Sequence, residues 1–478
     1  MLLYSRTDNP LKSLLNNGDE FFLFEADKCL DEVKRIHFIG IGGSGMCPLA
    51  EILHSRGYIL SGSDNNETDT LARVRNLGID VKMGQCAENI EGAEMIVYTA
   101  AIMSDNPELI AAKNSGIPTF ERSKLLGAVS RKFNNCIGIA GTHGKTTTTS
   151  MLTQMLINAG ADPSAVIGGK LPMTGTNGIN GGSDLFICEA CEFSNTFLEL
   201  SPSCSVILNI DEDHMEFFKT LENLKESFYK FCNLAETVIY NGDDANSIDV
   251  INRLENKNLI SFGIDKCNDW YADNITVNNG AFAEFDVYYK GDIKGRAVLN
   301  VPGNHNILNS LAAVASAVYS GIDAALAIEL LSDFTGAGRR FEKLAEINGI
   351  DIIDDYAHHP AELKVTLEAA KKMNYNKVIA IFQPFTYSRT ARLLDDFAEV
   401  LKIPDKVIMT EIMGSREKNT YNIYTADLAE KIPGSEWNDS FDEVAERAIE
   451  IAEEGDLIIT LGCGDVYKIA KIIINKMK

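Results

Sequence analysis

Residues 136–149, CIGIAGTHGKTTTT, restrict this chain more than any other stretch. An apolar run stops at Gly141, a glycine-bounded turn follows, and Lys145 and Thr146 open the segment TTTTSMLTQML. Strand, glycine turn and helix in that order belong to a parallel α/β sheet with a ligand at the strand end. The common phosphate loop places four residues between its first glycine and Gly-Lys-Ser/Thr. Here only Thr142 and His143 separate Gly141 from Gly144, so the loop is a shortened variant. Its amides can cradle phosphate oxygens, Lys145 can reach terminal phosphates, and the Thr146 hydroxyl can take a magnesium ion.

The same grammar occurs earlier. In IHFIGIGGSGMCPLAEILHSRGYILSGSD, Gly40, Gly42 and Gly45 follow an apolar strand, and Met46, Leu49, Ile52 and Leu53 recur at helical spacing. Asp64 closes the next strand, 19 residues after Gly45, where an acid that binds ribose is expected. The turn predicts a nucleotide diphosphate at a helix N-terminus. A third set of strands, IDIIDDY, KVIAIF, KVIMT and DLIITLGCGD, alternates with amphipathic helices after GAGRRFE. The expected organisation is an N-terminal extension over 1–34 and domains over 35–133, 134–338 and 339–478.

Composition narrows the partners. A net charge of -24 argues against nucleic acid and against anionic membrane surfaces, both of which attract basic proteins. No apolar run reaches the roughly 18 residues of a membrane span, and no secretory leader pattern is present, so a cytoplasmic protein is expected. Most of the 10 cysteines stand singly in apolar runs, as Cys136 and Cys204 do, and read as reduced core residues. Cys188 and Cys191 form a Cys-x-x-Cys, but no second pair follows to complete a zinc site.

Several further residues stand where strands end. Glu189 ends the strand in DLFICEA, with Glu192 close behind, and His214 follows the strand in CSVILNIDEDH. A carboxylate and an imidazole from neighbouring strand ends can share a divalent ion; a buried, hydrogen-bonded histidine is the other reading. GNHNILN (303–309) can read a base or cap the helix that follows. The arginines of GAGRRFE suit a phosphate or carboxylate ligand, or equally a surface ion pair. DDYAHHP, with Tyr356, His358 and His359, QPFTYSRT, with Arg389, and LGCGD all fall at C-terminal strand ends of the third domain. No Ser-His-Asp order or zinc spacing stands out, which leaves phosphoryl transfer as the expected chemistry.

Taken together, HFIGIGGSGM, SGSD, GTHGKTTT, EACE, NIDEDHM, GNHNILN, GAGRRFE, DDYAHHP and LGCGD, in that order over roughly 35–478, resemble the Mur ligases, the ATP-dependent amide-forming enzymes of peptidoglycan synthesis. The resemblance implies an α/β protein of three domains: a Rossmann-like UDP-binding domain, a central P-loop ATPase-like domain and a C-terminal Rossmann-like ligase domain. It implies UDP-N-acetylmuramate and L-alanine as substrates and ATP and Mg²⁺ as cofactors. Gly40, Gly42, Gly43, Ser44, Gly45, Met46, Ser63 and Asp64 would hold the UDP-sugar. Gly141, Thr142, His143, Gly144, Lys145, Thr146 and Thr147 would hold ATP phosphates, joined by His305, Asn306 and Asn309 at the adenosine and by Arg339. Thr146, Glu189 and His214 would bind magnesium. Tyr356, His358 and Arg389 would place the amino acid, and Lys145, Glu189, His214 and His358 would be the catalytic set.

The sequence departs from the family pattern at two of these places. Phe385 stands where many members have histidine after Gln-Pro, and Cys191 where many have an acid. Lys225 lies in the general region where some members carry a carbamylated lysine. Two other activities are compatible with parts of the pattern. One is a recycling ligase adding a preformed tripeptide to the same sugar nucleotide. The other is a nicotinamide-dependent oxidoreductase, suggested by GIGGSG and Asp64 alone, which leaves the phosphate loop without a role.

Overall fold

The computed structural model describes residues 25–415 and 417–478. Residues 1–24 of the expected extension lie outside it. Glu25–Glu32 form a helix that buries Ala26, Cys29 and Leu30 in a core shared by the first two sheets. Asp27 of that helix accepts two hydrogen bonds from Arg131, Nε at 2.8 Å and Nη2 at 2.7 Å.

Three sheets follow. The first contains β1 (Arg35–Ile39), β2 (Ile59–Asp64), β3 (Asp80–Met83), β4 (Met95–Tyr98) and β5 (Thr119–Glu121), all parallel, in the order β3-β2-β1-β4-β5. The second contains β6 (Asn135–Ala140), β7 (Ser164–Leu171), β8 (Thr176–Ile179), β9 (Leu185–Glu189), β10 (Cys204–Ile207), β11 (Thr237–Asn241), β12 (Asn258–Gly263), β13 (Trp270–Asn278), β14 (Phe282–Tyr289) and β15 (Asp292–Pro302). Its order is β15-β14-β13-β12-β11-β10-β6-β9-β7-β8. The third contains β16 (Glu342–Ile347), β17 (Ile350–Asp355), β18 (Val378–Phe382), β19 (Lys406–Met409), β20 (Glu436–Trp437) and β21 (Leu457–Leu461), in the order β16-β17-β21-β18-β19-β20. Only β16 runs antiparallel to its neighbour there.

The central strands are buried along their whole length, β10, β18 and β21 among them. Parallel strands covered by helices on both faces need such unbroken apolar runs. Local signals set the helix starts. Thr68 caps Asp69–Asn76 through the amide of Leu71, and Asn106 caps Pro107–Asn114, whose proline occupies the first turn.

The chain divides into two compact units. One holds the described residues up to Asn274 together with Asp286–Ala297 and Leu308–Leu331; the other holds Ile275–Phe285, Val298–Ile307 and Ser332–Lys478. Among the described residues, no helix is long and apolar enough to cross a membrane.

Candidate functional site

In the first unit, register brings the phosphate-loop elements to one edge. Ile139 on β6 pairs with Glu189 on β9, and Ala140 pairs with Ile207 on β10. Gly141, Glu189 and Asn209 therefore leave the sheet at nearly the same level, the ligand-bearing end of parallel strands. Gly144 caps the helix Lys145–Asn158 at φ +86°, a left-handed conformation, and a Cβ there would strike Asn309 Oδ1. Glycine is required on both counts.

The loop is braced from behind by the segment after β10. Thr142 N bonds Asn209 O at 3.1 Å, Asp211 N donates to Thr142 Oγ1 at 2.9 Å, and His143 N donates to Asn209 Oδ1 at 2.8 Å. Thr146 Oγ1 donates to Glu189 Oε2 at 3.2 Å, so a hydroxyl and a carboxylate face each other as hard oxygen donors suited to magnesium. Thr147 lies in the first turn of the same helix.

Lys145 Nζ bonds Gly141 O and Thr142 O and forms an ion pair with Glu192, whose Oε2 is 3.0 Å away and whose side chain is 1% exposed. Burial depresses the lysine pKa, but Glu192, with smaller contributions from Cys191 and Glu189, turns the net shift upward. His214 adopts φ +55° and packs on the Phe193 ring at 4.7 Å. No cluster of three or more His, Cys, Asp or Glu side chains arranged for a metal ion occurs among the described residues. Lys225 is paired with Glu222 at 2.7 Å and Asp249 at 3.0 Å, and hydrogen bonding to Glu222 leads the upward shift of its pKa. The pairing favours the ammonium over the neutral amine that carbamylation requires. All ten cysteines are free thiols.

The Gly40–Gly45 turn lies at the end of β1. Gly40 N and Ile41 N donate to Ser63 O, and Gly42 N donates to Asp64 Oδ2 at 3.0 Å, so Asp64 braces the turn. Gly43 N closes back on Gly40 O, and Asn177 Nδ2 donates to Ser44 O at 2.9 Å. Met46 turns into the core. Behind the turn, Ser63 Oγ donates to Glu108 Oε2 at 2.6 Å, and the buried His37 Nε2 lies 2.7 Å from Glu108 Oε1. In front of it stands the Arg122 side chain, 3.1 Å from where a Cβ on Gly45 would lie.

The second unit carries another cluster. Tyr356 follows β17, Gly462–Gly464 follow β21 and Gln383 follows β18, on adjacent strands in register (Asp355 with Leu461, Phe382 with Leu461). Arg339 Nε donates to Asp354 Oδ2 at 2.8 Å, Nη1 to Gly464 O at 3.2 Å and Nη2 to Gly462 O at 2.6 Å. Its guanidinium also stacks on Tyr356 at 5.0 Å and Tyr467 at 4.9 Å, while that of Arg340 lies 5.1 Å from the Tyr356 ring. His358 Nδ1 lies 3.0 Å from Tyr356 O. A carbonyl only accepts, so Nδ1 carries the proton and Nε2 of the neutral ring keeps its lone pair. Burial lowers the His358 pKa; Glu362, 3.3 Å from Nδ1, opposes this and Arg389 reinforces it. Also in this unit, the His305 ring lies against Gly303, and Asn306 Nδ2 donates to Pro302 O at 2.8 Å.

Three family models match the chain: the Mur ligase family catalytic domain over 35–134, the Mur ligase middle domain over 139–317, and the Mur ligase glutamate ligase domain over 339–464. This chain belongs to the Mur ligase family. Among its relatives, the UDP-N-acetylmuramate–L-alanine ligase of Caldanaerobacter subterraneus subsp. tengcongensis is 42% identical over 456 residues, covering 94% of this chain and 99% of that protein. The enzyme of the same name from Clostridium acetobutylicum is 42% identical over 453 residues, covering 93% and 98%. The solved UDP-N-acetylmuramate-alanine ligase of Thermotoga maritima superposes with a TM-score of 0.81 at 27% identity, covering 92% and 98%.

In this Mur ligase, then, the expected phosphate-loop residues do assemble with Glu189 and Asn309. Sequence reasoning did not find Asn209 and Asp211 as the brace behind the loop, Glu192 as the partner of Lys145, or Arg122 in front of Gly45. Glu192 was visible in EACE but carried no pairing signal, because its partner lies 47 residues away. Arg122 follows the short strand β5 with no motif around it.

Proposed function

We propose that this Mur ligase joins L-alanine to the lactyl carboxylate of UDP-N-acetylmuramate, with ATP cleaved to ADP and phosphate. The identity of 42% over 94% of the chain to a ligase of that name carries the reading. The arrangement of Lys145, Thr146 and Glu189 at one strand edge supports ATP as the activating nucleotide.

A carboxylate is a poor acyl donor. The lactyl oxygen attacks the γ-phosphorus, the bond to the β–γ bridging oxygen breaks, and ADP leaves. The neutral amine of alanine then attacks the acyl carbon, phosphate departs with the C–O electron pair, and the amide loses one N–H proton. Lys145 and the first-turn amides of the helix Lys145–Asn158 offset the negative charge gathered in the first step. Thr146 and Glu189 would hold a magnesium ion, with His214 as the third expected ligand; when bound, the ion polarises phosphoryl oxygen. Nε2 of His358, neutral and unprotonated, is the acceptor for the amine proton. Arg122, beside Gly45, suits the UDP diphosphate, and Tyr356 and Arg389 the amino acid.

The test is phosphate release and product mass with UDP-N-acetylmuramate, ATP and a panel of amines. L-Alanine-dependent release giving the mass of UDP-N-acetylmuramoyl-alanine is the expected result. Release only with a preformed tripeptide assigns the recycling activity, and no ATP-dependent release with any amine rejects both.

A further inference from the structure

Gln383 follows β18 with its side chain inside the protein; the residue is 5% exposed. Its backbone is engaged, N donating to Leu461 O at 3.1 Å. Its side-chain oxygen Oε1 is buried and has no hydrogen-bond partner. The wall around that oxygen is specific: a Cβ placed on Gly464 would stand 2.5 Å from Oε1 and 2.6 Å from Met413 Sδ. A side chain at Gly464 would crowd Oε1, and glycine there leaves that face of the amide uncovered by a side chain.

A buried acceptor left unpaired is unfavourable, whereas an apolar residue of the same shape in its place is close to neutral. Packing alone would therefore prefer methionine at this position. The other groups at the same sheet edge define the missing partner. The Gly462–Gly464 turn holds Arg339 through two carbonyls. Arg389 stands in the helix Tyr387–Arg392 just after Gln383, and its charge reinforces the lowering of the His358 pKa by burial, which Glu362 opposes. Cationic groups there suit a carboxylate, and the imidazole Nε2 suits a proton to be removed. The Glu362 carboxylate is the charged acceptor at this edge, and Gln383 Oε1 is a neutral one left unpaired.

We propose that Gln383 Oε1 accepts a hydrogen bond from the amine of the incoming amino acid, as a positioning residue that turns the nitrogen lone pair toward the acyl carbon. The inference rests on the third domain being the amino-acid site. An amide is the right group for this task. A carboxylate in its place would stabilise the ammonium, which has no lone pair and cannot attack.

The experiment uses the full chain with ATP, UDP-N-acetylmuramate and L-alanine. Gln383→Met is expected to raise KM for L-alanine about tenfold, the worth of one hydrogen bond of upper-range strength. KM for ATP and for UDP-N-acetylmuramate should stay within about twofold, and Tm should be unchanged or higher. Gln383→Glu should move the acidic limb of the pH–rate profile to higher pH. An unchanged KM for L-alanine in Gln383→Met overturns the proposal. So does a lower Tm or a failure to fold, since either makes Gln383 structural. If the wild-type chain itself shows no alanine-dependent phosphate release, the proposed function fails first, and the two failures are thereby told apart.

Discussion

Lys145 of the phosphate loop is paired with the buried carboxylate of Glu192, Nζ to Oε2 3.0 Å, although 47 residues separate them. The lysine is thus held in place by protein anions and carbonyls at the position from which it would meet phosphate. Removing the carboxylate leaves the ammonium without its contacting counter-ion in a largely enclosed loop. Glu192→Gln is expected to lower unfolding free energy by about 3–5 kcal/mol, the usual effect of breaking a buried pair. Added ATP should restore part of it, because phosphate supplies the missing charge. Urea denaturation with and without nucleotide measures both. The Lys145 pKa is raised on folding, so the pair's contribution is full below the unfolded lysine value of roughly 10.4 and is lost as pH rises through the folded one.

His358→Ala should slow turnover about 10²–10⁴-fold, the range for a lost general base, while leaving ATP cleavage chemistry up to the acyl phosphate intact. Isotope exchange within ATP in the absence of alanine checks the second half. The folded His358 pKa is depressed by burial. Between it and the unfolded value of roughly 6.5, the unfolded chain binds more protons, so this group's stability contribution is full above about 6.5 and falls as pH drops through the folded pKa. The wild-type rate should fall over the same acidic window, and in His358→Ala that limb should flatten.

Gly144→Ala forces an L-residue to φ +86° and drives its Cβ into Asn309 Oδ1. The strain, about 1–3 kcal/mol, falls on the loop proposed to cradle phosphate. Loss of nucleotide binding with UDP-N-acetylmuramate binding retained is the expected result, read by titrating each ligand separately.

Arg339→Lys keeps the charge and loses the fork that joins Asp354 to the carbonyls of Gly462 and Gly464, together with the stacking on Tyr356 and Tyr467. A lysine ammonium cannot reproduce that planar geometry. A loss of about 2–3 kcal/mol in unfolding free energy is expected, with KM for L-alanine rising more than KM for UDP-N-acetylmuramate. Denaturant melts and steady-state kinetics decide it.

The strands that carry the site were legible because their signals are local. CIGIA, DLFICE, CSVILNI and DLIITL are mainly apolar runs ended by glycine, acid or amide, and each forms a buried parallel strand. The long strands β13 to β15 were not read, although Asn279 and Gly280, both at positive φ, are a hairpin signal between β13 and β14. Polar residues alternate along β14, and an alternating half-buried strand gives a weaker apolar run than a buried one.

By itself the sequence determined the strand–turn–helix units, the two glycine loops and the types of group that each strand end offers, because backbone conformation at a glycine and apolar periodicity depend on neighbours a few residues away. Only the tertiary structure decided which of those groups face one another: Lys145 with Glu192, Arg122 over Gly45, Arg339 between two tyrosines, and Gln383 with its amide oxygen unpaired beside Gly464. Strand order and register set those pairings, and they follow from packing many distant segments at once into one dense core, not from any local run of residues.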